Sequence, residues 1–330
     1  MAFLDVDVKG GTVTRTRVGI GEYNDSSEVA LPVVTIGGGH DGPTLYIQAG
    51  LHGDEQTGIA ICRTFLSQIC ASDLSQINGR VVVVPIANPP SHLSHSRGFL
   101  NEERRMQDLN RIFPGDRHGL LSERLAAILF EEFLTSSDFT VDLHAALDGC
   151  IIAPFVYIDP DDNEAGTLEL RERVGLAFGT PYVYYRRRGM RFGTSDISRG
   201  LMAQADRAGK AALTAEMGHS QIVTREYVPL GVAGLFNVMG ALGMLDVPSS
   251  PGPSQRRFSQ ISLVHAGRGG GLHPEVSVGS EVAAGQLLGR ILNAFGEVVE
   301  ELHAPTGGFV LRLMQWGTVA SGAEAFWIAS

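Results

Sequence analysis

Cysteine is scarce in this chain: Cys62, Cys70 and Cys150 are the only three in 330 residues. An odd, sparse set excludes a disulfide framework, and the spacing is not that of a zinc finger, so reduced core thiols are expected. No apolar run reaches the length that spans a bilayer. The amino terminus MAFLDVDVKGG carries acidic residues where a signal peptide would carry a basic region and an apolar core. A cytoplasmic protein with no membrane contact is the expectation. Positive charge is also short, with 26 Lys and Arg against 36 Asp and Glu, a formal net charge of −10. That balance argues against a nucleic-acid partner. The H-E-x-x-H pattern of the commonest helical zinc proteases is absent.

What is present is a globular composition, 44% hydrophobic and 19% charged, with 41 glycines against an ordinary usage of about 7%. Short apolar runs alternate with amphipathic segments over the first three quarters. LYIQAG precedes a helix predicted from about Glu55 to Cys70; RVVVVPIAN precedes a long polar loop and a helix across SERLAAILFEEFL. FTVDLHAA, CIIAPFVYI and AALTAEMG follow as strands, with helices around LELRERVGLAF, ISRGLMAQADRAG and PLGVAGLFNVMGALGML. This alternation predicts an α/β fold with a mostly parallel mixed sheet and helices on both faces. DVPSSPGPSQRR, residues 246–257, breaks every periodicity and reads as a linker. It separates a catalytic unit, 1–245, from a small all-β unit, 258–330.

The stretch AGLHGDEQTG places His52 and Glu55 three apart where a strand should end and a helix begin. Ligands of doubly wound sheets bind at carboxyl ends of strands. Gly50 and Gly53 allow the tight turn. An imidazole nitrogen and a carboxylate oxygen suit zinc, and two histidines with one glutamate leave a fourth position for water. His144, at the end of FTVDLH, is the best third ligand, with Asp142 orienting a ligand from behind. A lone loop histidine is more often merely solvated, but two histidines and a glutamate at strand ends favour one zinc ion per chain. Glu216 in AALTAEMGHS can take a proton from water and return one to a leaving amine. In RRMQDLNRIFPG, Asn110 and Arg111 suit a substrate carboxylate. Arg97, Arg104 and Arg105 could polarise a scissile carbonyl. RRRGMR, 186–191, reads as a solvated or interface loop.

Taken together, GLHGDE, DLNRIFPG, VDLHAA and TAEMG resemble, in order and spacing, the succinylglutamate desuccinylase and aspartoacylase family, relatives of the zinc carboxypeptidases, over roughly residues 29–245. The resemblance implies zinc on His52, Glu55 and His144, Glu216 as general base and acid, and Asn110 with Arg111 on the substrate carboxylate. Family members often carry asparagine at the position of Asp54. The family's carbonyl-polarising arginine precedes the D-L-N-R motif, which leaves Arg97, Arg104 and Arg105 open. The carboxyl-terminal unit looks like a biotinyl or lipoyl-type barrel-sandwich. It has no modifiable lysine, because the chain's only lysines are Lys9 and Lys210. A structural or substrate-gating role follows as an expectation.

The expected activity is a zinc-dependent amidohydrolase that removes an acetyl, succinyl or similar group from a small N-acyl amino acid. The alternatives are a metallocarboxypeptidase acting on short peptides and a non-catalytic metal- or ligand-binding homologue. The apolar last helix and the β unit offer surfaces for a homo-oligomer.

Overall fold

A computed structural model describes residues 10–99, 102, 108–147, 149–158, 165–186, 197–246 and 254–330. From the amino end run β1 (Thr12–Glu22), β2 (Glu28–Gly37), β3 (His40–Ala49), α1 (Gln56–Ile69), β4 (Asn78–Val84), α2 (Pro89–Leu93) and α3 (Leu121–Ile128). There follow β5 (Phe139–His144), β6 (Cys150–Ile158), α4 (Ala165–Phe178), β7 (Tyr182–Tyr185), α5 (Leu201–Arg207), β8 (Ala211–His219) and α6 (Val228–Ala241). The carboxyl-terminal strands are β9 (Arg256–Phe258), β10 (Ile261–His265), β11 (Gly270–Pro274), β12 (Glu281–Val282) and β13 (Leu287–Leu292), then β14 (Val298–His303), β15 (Gly308–Met314), β16 (Thr318–Val319) and β17 (Glu324–Ala329).

Side-chain alternation builds the centre. In β3, Leu45, Ile47 and Ala49 face one apolar cluster while Tyr46 faces another; in β4, Val81 and Val83 oppose Val82 and Val84 in the same way. Both faces of a strand are buried only when layers cover both. One layer holds α1, α4 and α6, through residues such as Phe65, Phe178 and Leu235. The other holds α3, α5 and the segment Leu129–Leu134, through Leu125, Phe133 and Leu201. The helix predicted across SERLAAILFEEFL divides here: α3 ends at Ile128, and Leu129–Leu134 is π-helical, closed by the i→i+5 bond from Thr135 N to Phe130 O at 2.9 Å. The wider turn accompanies the stacking of Phe133 on Tyr46, ring centroids 5.4 Å apart.

The sheet order is β1-β2-β4-β3-β5-β8-β6-β15-β17-β10. β3 pairs in parallel with β4 and β5, and β5 with β8, whereas β6 is antiparallel to β8. Three parallel strands, β3, β5 and β8, therefore end side by side. The carboxyl-terminal strands do not stand apart from this sheet. β15 pairs with β6 through Arg312↔Ile152, Leu313↔Ile151 and Met314↔Cys150. β15 and β17 are two-faced: Val310, Phe326 and Ile328 join the core of the β unit, while Phe309, Leu311, Trp327 and Ala329 pack with Phe155, Tyr184 and Phe258. A second sheet, β14-β13-β11-β16, closes the β unit. Of the expected linker, residues 247–253 lie outside the described residues. Arg256–Phe258 forms β9, which pairs in parallel with β7.

A backbone contact locks the turn after β3 to α2. A Cβ on Gly53 would lie 2.0 Å from Ser91 C and 2.3 Å from His92 N, inside both atoms' van der Waals radii. Gly53→Ala is expected to destabilise the fold by about 1–3 kcal/mol, read as a lower thermal midpoint by calorimetry. An unchanged midpoint would show that turn and helix are not locked together.

Candidate functional site

β3 stops at Ala49, and Gly50 takes a φ of +67°, which turns the chain out of the sheet. Glu55 N donates to His52 O at 3.2 Å and Gln56 N to Asp54 O at 3.1 Å, so the chain reverses within a few residues and enters α1 behind Glu55. This turn leaves His52 Nδ1 2.7 Å from Glu55 Oε1. The parallel register supplies the third group. Ala49 pairs with Leu143 and His144 with Glu216, so His144 ends β5 beside the turn. Its Nδ1 is 3.2 Å from His52 Nδ1 and 2.9 Å from Glu55 Oε2. Ligand atoms of His52, Glu55 and His144 all lie within 4.8 Å of one another, and all three residues are buried.

The outer nitrogens decide the protonation. His144 Nε2 is 2.8 Å from Asp142 Oδ2, and His52 Nε2 is 2.9 Å from Asp108 Oδ1. An ionised carboxylate only accepts, so each Nε2 carries a proton, and in the neutral ring each Nδ1 presents its lone pair to the centre. Two lone pairs and a carboxylate facing one another call for a cation. The surrounding carboxylates favour positive charge at the centre, on the rings themselves as on a bound cation. Burial by itself disfavours a charged His144, yet Asp142 and Glu55 outweigh it and pull the pKa well above the ordinary imidazole value. His52 is raised too, its burial and the nearby Arg97 outweighed by Glu55 and Asp108. Burial pushes Glu55 upward, but the two imidazoles hold it well below the usual carboxylate range. Ala145 N–H adds a hydrogen bond to Glu55 Oε2 at 2.9 Å. This donor set fits a divalent ion.

Behind Asp142 stands a buried relay: Gln48 Nε2 donates to Asp142 Oδ1 at 2.9 Å, and Tyr46 OH to Gln48 Oε1 at 2.6 Å. Asp54 is buried beside the cluster with Oδ1 unpartnered, and burial together with Glu55 pushes its carboxyl up to about 6.

A cleft opens over the cluster, with His52, Glu55 and His144 on its wall. Glu216 lines it, 3.5 Å from Tyr157 OH. Removal from bulk water and the neighbouring Glu55 push Glu216 up to about 7, against the pull of His144 and Arg97. Asn110 and Arg111 line the same cleft. Asp108 Oδ1 accepts from Asn110 N at 2.8 Å and caps the short 3-10 turn Leu109–Arg111, while Asn110 Oδ1 accepts from Leu201 N at 2.8 Å. Arg97 also lines the cleft, with Nη1 3.2 Å from Glu55 Oε1 and Nε 3.2 Å from Asp108 Oδ2. Arg104 and Arg105 lie outside the described residues.

The sequence reading passed over four groups that the fold brings here. Asp108 stands in the quoted D-L-N-R motif, and its place before a turn was the available signal. Arg186, read as part of a solvated or interface loop, lies on the cleft wall. Arg312 and Trp327 reach the cleft from β15 and β17, and no local pattern marks them. Among the described residues no helix is long and apolar enough to cross a membrane.

Known proteins resemble this chain in sequence and in fold. A curated N-alpha-acetyl-L-2,4-diaminobutyric acid deacetylase from Halomonas elongata is 29% identical over 278 residues, 81% of this chain and 76% of the relative. The product-bound ectoine utilization protein EutE (DoeB) from Ruegeria pomeroyi superposes with a TM-score of 0.84 at 22% identity, covering 98% of this chain and 96% of the other. A succinylglutamate desuccinylase/aspartoacylase from Rhodobacter sphaeroides gives 0.81 at 24% identity, covering 98% and 97%. Those two likenesses establish the fold. The family model described as the succinylglutamate desuccinylase/aspartoacylase catalytic domain matches residues 41–242, well over half of the sequence, and the chain belongs to that family.

Proposed function

We propose that the protein is a zinc-dependent deacylase that hydrolyses the amide of a small N-acyl amino acid. The observation that carries this reading is the convergence of His52 Nδ1, His144 Nδ1 and the Glu55 carboxylate beneath a cleft that also holds Glu216. A relative named as a deacetylase of an N-acetylated amino acid supports the reaction class. Residues 1–245 form the catalytic unit in this reading, with the β unit following.

His52, Glu55 and His144 would hold zinc, which when bound would supply Lewis acidity and lower the pKa of water toward about 7. Glu216 accepts the proton as the new C–O bond forms. Arg97, whose guanidinium lies beside Glu55, donates to the carbonyl oxygen as negative charge grows there. Asn110 and Arg111 hold the amino-acid carboxylate and so orient the amide over the cluster. Glu216 then returns its proton to the departing nitrogen as the C–N bond breaks. One amide and one water become a carboxylate and an amine. The pKa of Glu216, raised to about 7, suits a group that must both take and give a proton.

Metal analysis with a panel of N-acyl amino acids tests metal and reaction together. Glu216→Gln is expected to retain zinc and to lose about 10²–10⁴-fold in kcat, the usual yield of general acid–base catalysis. Near-normal turnover in that variant would remove Glu216 from the chemistry. Asp142→Asn takes the charge from behind His144 Nε2, and its zinc affinity, measured by chelator competition, is expected to fall about 10–100-fold. Unchanged affinity there would mean that Asp142 does not support the ligand.

A further inference from the structure

The chain that leaves β5 runs from His144 directly along the cleft. Ala145, Ala146 and Leu147 line it, and Ala145 N–H holds Glu55 Oε2. Ala146 N donates to Gly218 O at 3.1 Å, which ties the first half of this loop to β8. The second half is a turn from Leu147 to Cys150, closed by Cys150 N on Leu147 O at 2.9 Å. Gly149 takes a φ of +67° within it, and a positive φ at the third position of a four-residue turn suits glycine.

Gly149 is held from two sides. Its N–H donates to Ser220 Oγ at 2.8 Å. Its carbonyl accepts from Gln315 N at 2.8 Å, which carries the pairing of β15 with β6 one residue past Met314↔Cys150. Trp316 comes next, in the hairpin between β15 and β16, and its indole covers Gly149: a Cβ on that glycine would fall among Cδ1, Nε1 and Cε2 of the ring. Gly149 is buried beneath an indole that is itself 55% exposed. A ring left half in water gains little from its own burial, and its contact with the turn is what distinguishes it. Glycine is the residue with most backbone freedom, so the turn around Gly149 is where this stretch of wall would give. Leu147, half-buried, is the side chain that the turn presents to the cleft. A wall that must be ordered at each binding event weakens affinity, and one already held does not.

We infer that Trp316 is a positioning residue: from the β unit it clamps the turn Leu147–Cys150, keeps Leu147 on the cleft wall and so preorganises the cleft for substrate. This rests on the deacylase reading above. The clamp acts on binding and leaves the cluster of His52, Glu55 and His144 to the groups that already fix it, because Ala145 and Ala146 are tied down without help from the β unit.

The test measures kcat and KM of the zinc-loaded full chain on N-succinyl-L-alanine, N-acetyl-L-glutamate, N-acetyl-L-alanine and N-acetyl-L-2,4-diaminobutyrate, and follows whichever is turned over best. Trp316→Ala is expected to raise KM about fivefold, with kcat within about threefold of wild type. Zinc affinity, read by chelator competition, should stay within about threefold. Trp316→Phe keeps a flat ring over Gly149 and should bring KM back to within about twofold of wild type. A reading independent of activity comes from Gly149→Ala, whose Cβ pushes the indole away and lowers the thermal midpoint. In the Trp316→Ala background the same substitution should lower the midpoint by clearly less, because only the strain of the positive φ remains. An unchanged KM in Trp316→Ala, no recovery in Trp316→Phe, a KM rise accompanied by a tenfold loss of zinc affinity, or an equal fall in midpoint in both backgrounds overturns the clamp and leaves the deacylase reading standing. Hydrolysis of none of the N-acyl amino acids by the wild type overturns both.

Discussion

Two imidazole lone pairs and a carboxylate meet within about a hydrogen bond's length at the carboxyl ends of β3 and β5, and much of the architecture serves to keep them there. Such a meeting is unfavourable without positive charge at its centre. Asp142 and Asp108 make it more so, because each takes the outer imidazole N–H and thereby aims the inner lone pair inward. The same carboxylates raise the affinity of the centre for any cation, since their charge is poorly screened in a buried site. A relay through Gln48 and Tyr46 fixes Asp142, so the orientation of His144 is inherited from buried groups on β3.

Parallel pairing is what lets residues distant in sequence meet. β3, β5 and β8 lie adjacent and point the same way, so the turn after β3, the end of β5 and Glu216 on β8 fall at one edge. The antiparallel strand β6 then carries the sheet into the β unit. The apolar joint of Phe155, Tyr184, Phe258, Phe309 and Trp327 holds that unit against the cleft. Rings stack there, Tyr182 on Phe309 at 4.2 Å and Tyr184 on Phe258 at 4.9 Å between centroids, which orients the surfaces as well as burying them. A flexible tether could not place Arg312 on the cleft wall; a continuous sheet can.

Much of the centre was legible before any fold. GLHGDE is a strand end followed by a turn and a helix, and VDLHAA is a buried run ending in a histidine; both are local patterns whose chemistry is that of their residue types. The alternating segments disclosed the α/β class by the same logic, since periods of two and of about 3.6 residues are properties of the local backbone. The π-helical widening at Leu129–Leu134 was not legible, because it arises where the helix packs on Tyr46. Asp108 was half visible, standing before a turn it caps, but its partner His52 lies 56 residues away.

The sequence by itself determined which side chains could bind a divalent ion, because imidazoles and a carboxylate at strand ends carry that chemistry wherever they fold. It determined equally that the β unit holds no lysine to modify. Tertiary structure alone decided which nitrogen of each histidine faces the centre, since that depends on carboxylates brought in from neighbouring strands and loops. It alone put Arg312 and Trp327 beside the cleft: their position follows from pairing β15 with β6, a contact across some 160 residues that leaves no trace in local periodicity.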